Sequence, residues 1–78
     1  MVLCTGLLFS CDDKKLSESD VPEAARTSFA SRYPGATDVK WKTEKKDGVT
    51  IYEAEFKKDG KEIEAEFKAD GSFITEEE

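Results

Sequence analysis

Three Asp-Gly pairs, Asp47-Gly48, Asp59-Gly60 and Asp70-Gly71, punctuate the carboxy-terminal half of the chain, and the octet EAEFK(K/A)DG is written twice between residues 53 and 71. Asp-Gly favours the two-residue type I′ turn, whose backbone twist matches that of a β-hairpin. Between the pairs apolar and charged residues alternate with a period of two, the signature of a half-buried strand. Treating each pair as a two-residue loop fixes a register. Around Asp59-Gly60, Phe56 falls opposite Ile63, Ala54 opposite Ala65 and Tyr52 opposite Phe67. Around Asp47-Gly48, Val39 falls opposite Phe56 and Trp41 opposite Ala54. Both hairpins put apolar partners on the same face, so the octet recurs because two adjacent strands end in the same turn. The third hairpin admits two forms: a two-residue loop turns Ile74 inward and a three-residue loop turns Phe73 inward.

Upstream, Val21, Ala25, Phe29 and Tyr33 recur at four-residue spacing, one apolar stripe of a helix of about three turns. Ser19 and Asp20 are polar cap candidates, Val21-Pro22-Glu23 suits a first turn, and Pro34-Gly35 stops the helix. The expected fold is therefore α+β: one N-terminal helix packed on a four-stranded antiparallel meander, order 1-2-3-4.

The other face of that sheet is charged. The register sets Glu55 opposite Glu64 and Glu53 opposite Glu66, with Lys40 facing Glu55, Lys42 facing Glu53 and Glu62 facing Lys57. Like charges across a strand pair destabilise it by roughly 0.2–1 kcal/mol each. One reading is a solvated face that keeps the sheet soluble. The other is a docking surface for a basic patch on a protein partner, with Ile51 and Phe73 as apolar contacts among the acids. A cation among the four glutamates suits calcium poorly, because calcium takes about 6–8 oxygens, carbonyls among them. No metal and no cofactor is expected. A hydrolytic pair of Glu53 and Glu66 would need a pocket that excludes water and raises a carboxyl pKa, which a flat open sheet does not supply. The edge strands, the last ending in Glu76-Glu77-Glu78, leave strand addition to a partner as a further alternative.

Composition narrows the function classes. A chain of 78 residues allows one small domain, with little stability to spare for a strained site. A formal charge of −6 argues against nucleic acid as a partner. There is no histidine, and both cysteines, Cys4 and Cys11, lie in the first eleven residues. That removes the usual zinc sets and any Cys–His nucleophile. An enzyme is not expected.

The opening MVLCTGLLFS is apolar and uncharged, and the chain then switches to the polar, acidic CDDKKLSESD; such a switch marks a processing point. Leu8 to Cys11, LFSC, resembles a bacterial lipobox. The resemblance implies residues 1–10 as the remnant of a signal peptide, acylation of Cys11 at the head of a polar tether over residues 11–19, and a domain over residues 20–78.

The string VPEAARTSFASRYPGATDVKW…YEAEFKKDGKEIEAEFKADG resembles the PepSY-like family, also described as similar to β-lactamase-inhibitor-like proteins. The matching elements are Val21-Pro22, Tyr33-Pro34-Gly35-Ala36, Val39 and Trp41, Tyr52 to Phe56, and Phe67 to Gly71. The resemblance implies a secreted or lipid-anchored protein of the bacterial cell envelope, periplasmic or surface-exposed, that binds or inhibits another protein without catalysis. It touches the membrane through its lipid anchor only. Members often carry two copies of the unit and this chain carries one, so a homodimer, or a structural domain that associates with itself, is the alternative.

Overall fold

The computed structural model describes residues 14–78. Cys11, the proposed signal remnant and the start of the tether lie outside the described residues. The elements run β1 (Lys14–Leu16), a 3-10 turn (Glu18–Asp20), α1 (Glu23–Arg32), β2 (Thr37–Lys46), β3 (Val49–Lys58), β4 (Lys61–Lys68) and β5 (Phe73–Glu77). The sheet is antiparallel throughout, in the order β1-β2-β3-β4-β5. Strands β2 to β5 are the expected meander. β1 is an unexpected fifth strand that falls within the segment read as a tether and pairs Leu16 with Trp41.

The first two Asp-Gly pairs form the anticipated turns. Asp47 and Gly48 have φ of 52° and 80°, Asp59 and Gly60 of 54° and 79°, the double positive φ that defines type I′. The β3–β4 register then follows as read: Tyr52 with Phe67, Ala54 with Ala65, Phe56 with Ile63. The third pair closes differently. Lys68 N–H donates to the Ser72 carbonyl and Gly71 N–H to the Lys68 carbonyl, both at 2.9 Å, making a three-residue loop with Gly71 at φ 93°. Asp70 helps select it by accepting the Ser72 N–H at 2.9 Å. This loop turns Phe73 inward, opposite Phe67, and leaves Ile74 unpaired and exposed before Thr75 meets Glu66.

Val39 departs from the expectation. Thr37 pairs with Lys57 and Lys40 with Glu55, so Asp38 and Val39 together oppose Phe56 in a β-bulge. Asp38 takes a left-handed φ of 54°, which a short polar residue tolerates. Its carboxylate lies 3.9 Å from the Lys57 ammonium. The extra residue flips the parity of the strand. Val39 becomes 37% exposed, and Ala36 takes the place against the core.

The helix stripe is buried as its spacing demands: Val21, Ala25, Phe29 and Tyr33 all belong to the core. The start differs in detail. Pro22 occupies the cap position and no side chain caps the helix; Ser19 and Asp20 are taken up in the 3-10 turn just before it. Phe29 is the hub, with ring centroids 5.0 Å from Phe56, 5.4 Å from Trp41 and 5.6 Å from Tyr33. Aromatic pairs in such tilted or edge-on geometry add about 0.5–1.5 kcal/mol each beyond area burial. Ala25, Ala54 and Ala65 are fully buried, and their small side chains let the helix settle close to the sheet. Tyr33 donates its hydroxyl to Glu76 at 2.5 Å, and the Arg32 guanidinium sits 3.5 Å over the Phe73 ring. These contacts tie the end of α1 to β5 and make Glu76 part of the fold.

Candidate functional site: the acidic outer face

The face turned away from α1 collects glutamates because β3 places Glu53 and Glu55, and β4 Glu62, Glu64 and Glu66, on alternate positions, while β2 adds Glu44 among lysines. The ladder sets Glu53 opposite Glu66 and Glu55 opposite Glu64, as the turns require. It continues across β5, where Glu64 meets Glu77. On the β2 side Lys40 stands opposite Glu55, Lys42 opposite Glu53 and Glu44 opposite Ile51. The Lys42 ammonium reaches diagonally to Glu55 at 2.8 Å. Lys46 reaches Glu66 at 3.5 Å and Glu44 at 4.0 Å.

Glu53 differs from its neighbours. It lies on the middle strand and is only 5% exposed, with carboxylate oxygens of Glu44 and Glu66 on one side and Glu55 and Glu64 on the other, each trio within 4.8 Å. Burial first, then hydrogen bonding to Glu44 and the negative charge of Glu64, push its carboxyl up to about 8, and the Lys42 charge only partly offsets this. The expectation that an open sheet could not raise a carboxyl pKa is thus wrong at this position, because long side chains on both adjacent strands shield Glu53 from water. The same burial leaves a substrate no access to a Glu53–Glu66 pair. Each trio brings three carboxylates together, whereas calcium takes about 6–8 oxygens, carbonyls among them.

Two apolar contacts proposed from the sequence are not offered to a partner. Ile51 is on the outer face but only 4% exposed, standing between Glu44 and Lys68 in the ladder. Phe73 is on the other face, against Phe67 and under Arg32. The accessible part of the surface is an open groove of about 830 Å³ at the bulged end of β2, lined among others by Glu55, Glu62, Glu64 and Glu77 with Val39, Lys40 and Lys57. Glu44 and Glu77 were not singled out from sequence. The alternation Lys40, Lys42, Glu44 would have given the first; a two-residue third loop would have given the second, and the observed three-residue loop reaches the same pair through the bulge at Ile74.

Comparison of the chain with protein-family models, with curated proteins and with solved structures returned no match.

Proposed function

We propose that this domain docks, without catalysis, onto a basic patch of another protein through its acidic outer face, as part of a lipoprotein of the bacterial cell envelope anchored at Cys11. The observation that supports the docking reading most is the alignment of Glu55, Glu64 and Glu77 as cross-strand neighbours on three adjacent strands. Like-charge neighbours in a ladder cost stability, and a cationic partner turns that cost into a source of affinity. The groove beside them is open enough to admit Lys and Arg side chains. The resemblance of the helix, turn and strand motifs to PepSY-like proteins, and of LFSC to a lipobox, supports the envelope setting and the binding or inhibitory role. Self-association along a strand edge has less support, because bulges at Asp38-Val39 and at Ile74 interrupt pairing near both edges.

The test is binding of an oligolysine peptide, measured by calorimetry at low salt. Glu55→Lys with Glu64→Lys should weaken binding at least about tenfold, a loss of roughly 1.4 kcal/mol. The charge-matched pair Glu18→Lys with Glu23→Lys, which lies on the 3-10 turn and at the start of α1, should leave it within about twofold. Equal loss from both pairs would reduce the effect to net charge and overturn the assignment of the face.

A further inference from the structure

We propose that Glu53, enclosed by the carboxylates of the neighbouring strands, keeps a proton near neutral pH, and that release of this proton switches the outer face into its cation-docking form. The inference rests on the docking reading above and concerns the regulation of that same face.

The argument is one of donors and acceptors. Carboxylate oxygens of Glu53 lie within 4.8 Å of those of Glu44 and Glu66 on one side and of Glu55 and Glu64 on the other, and ionised carboxylates only accept, so a hydrogen bond within this group needs a proton. The surroundings supply strong reason to keep it. Facing Glu53 are Lys42 and Glu44 from β2, Glu64 and Glu66 from β4, and Glu55 from its own strand. Lys46 reaches in from the end of β2 to Glu44 and Glu66. Lys40, Lys68 and Glu77 stand one position further out, beside Glu55, Ile51 and Glu64. With Glu53 ionised, the inner group would hold five carboxylates, Glu44, Glu53, Glu55, Glu64 and Glu66, against two ammonium groups, Lys42 and Lys46. Two carboxylates in one site cannot both ionise cheaply, and the more buried one retains the proton. Glu53 is by far the most buried of the five at 5% exposure. Its carboxyl is correspondingly pushed up to about 8.

A cation arriving over this face substitutes for the proton. By reciprocity, whatever favours ionisation of Glu53 is favoured by it, so docking of a basic partner should release a proton below about pH 8 and strengthen as the pH rises toward it.

The experiment is a titration of the full chain with the same oligolysine peptide from about pH 6 to about pH 9, below the lysine pKa of about 10.4. Wild-type affinity should rise severalfold across that window, and calorimetry in two buffers of different ionisation heat should register proton release at about pH 7. Glu53→Gln should bind with an affinity that no longer rises with pH. The amino terminus also titrates near 8 but is common to both proteins and cancels in the difference. Carbon-detected NMR of the glutamate carboxyls gives an independent reading, since one resonance should titrate near 8 and vanish in Glu53→Gln even if that variant binds poorly. Wild-type binding that is tight but flat with pH, with all glutamates titrating below about 6, would overturn the switch and leave the docking reading intact. Absence of oligolysine binding at every pH would overturn both.

Discussion

Glu53 and Glu55 are two residues apart on one strand and identical in sequence terms, and the fold separates them. Glu55 is ion-paired with Lys42 and half-buried, whereas Glu53 is almost fully covered. Alternation assigns a residue to a face but says nothing of how deep it sits there, since depth depends on the length and lean of side chains on neighbouring strands. The candidate glutamates were therefore legible and the special one among them was not. The burial has a thermodynamic signature. A carboxyl whose folded pKa of about 8 lies above its unfolded value near 4.3 binds its proton more tightly when folded. Its contribution to stability is complete below the unfolded value and is lost as the pH rises through the folded one, at a slope of at most about 1.4 kcal/mol per pH unit. Urea unfolding should show wild-type stability falling between about pH 5 and about pH 8. In Glu53→Gln that fall should be absent or much reduced, and equal slopes in the two proteins would place the proton elsewhere. Tyr33 offers a second check: burial and its bond to Glu76 push the phenol up to about 12. Ultraviolet titration should show a tyrosine step there that Tyr33→Phe removes.

Among the elements, the two type I′ hairpins were legible because Asp-Gly carries its own backbone preference, and a two-residue loop leaves only one register. The helix was legible from a stripe whose four members all reach the core. What escaped depended on the tertiary setting. The bulge at Asp38-Val39 leaves Trp41 in its expected register and only reverses the strand beyond it, so alternation alone cannot reveal it. β1, three residues long, is below any periodicity threshold and is a strand only because β2 has an edge to offer. The glycines of the turns look equivalent in sequence, but a Cβ at Gly48 would meet nothing within 4 Å, while one at Gly71 would stand 2.8 Å from the Ala24 carbonyl oxygen of α1. Both positions have positive φ, so alanine at either costs roughly 1 kcal/mol in backbone strain. At Gly71 the clash with helix backbone adds to this, for a total of roughly 2–3 kcal/mol. Chemical denaturation of Gly48→Ala and Gly71→Ala should rank them in that order; a similar loss in both would mean that α1 moves aside at little cost.

For the whole molecule, the layering divides labour: α1 and one sheet face make the core, and the other face carries the charge. The fold class followed from the period change after Pro34-Gly35 and from the turns, whereas nothing in the residues identifies a partner, because complementarity to a basic surface can be met by many proteins. The envelope setting is open to direct measurement. Labelling with an alkyne palmitate analogue in cells expressing the chain from its native locus should mark the wild type and not Cys11→Ala; label in neither would remove the anchor. If the anchor holds, β1 acquires a mechanical meaning. It starts three positions after Cys11 and is joined to β2 by three residue pairs, so any tension between bilayer and domain is applied to the weakest ladder in the sheet. Under load β1 would peel away pair by pair, paying out about 10 Å of slack while the helix and the four-stranded meander stay intact, a fuse that lengthens the leash before the domain itself is stretched.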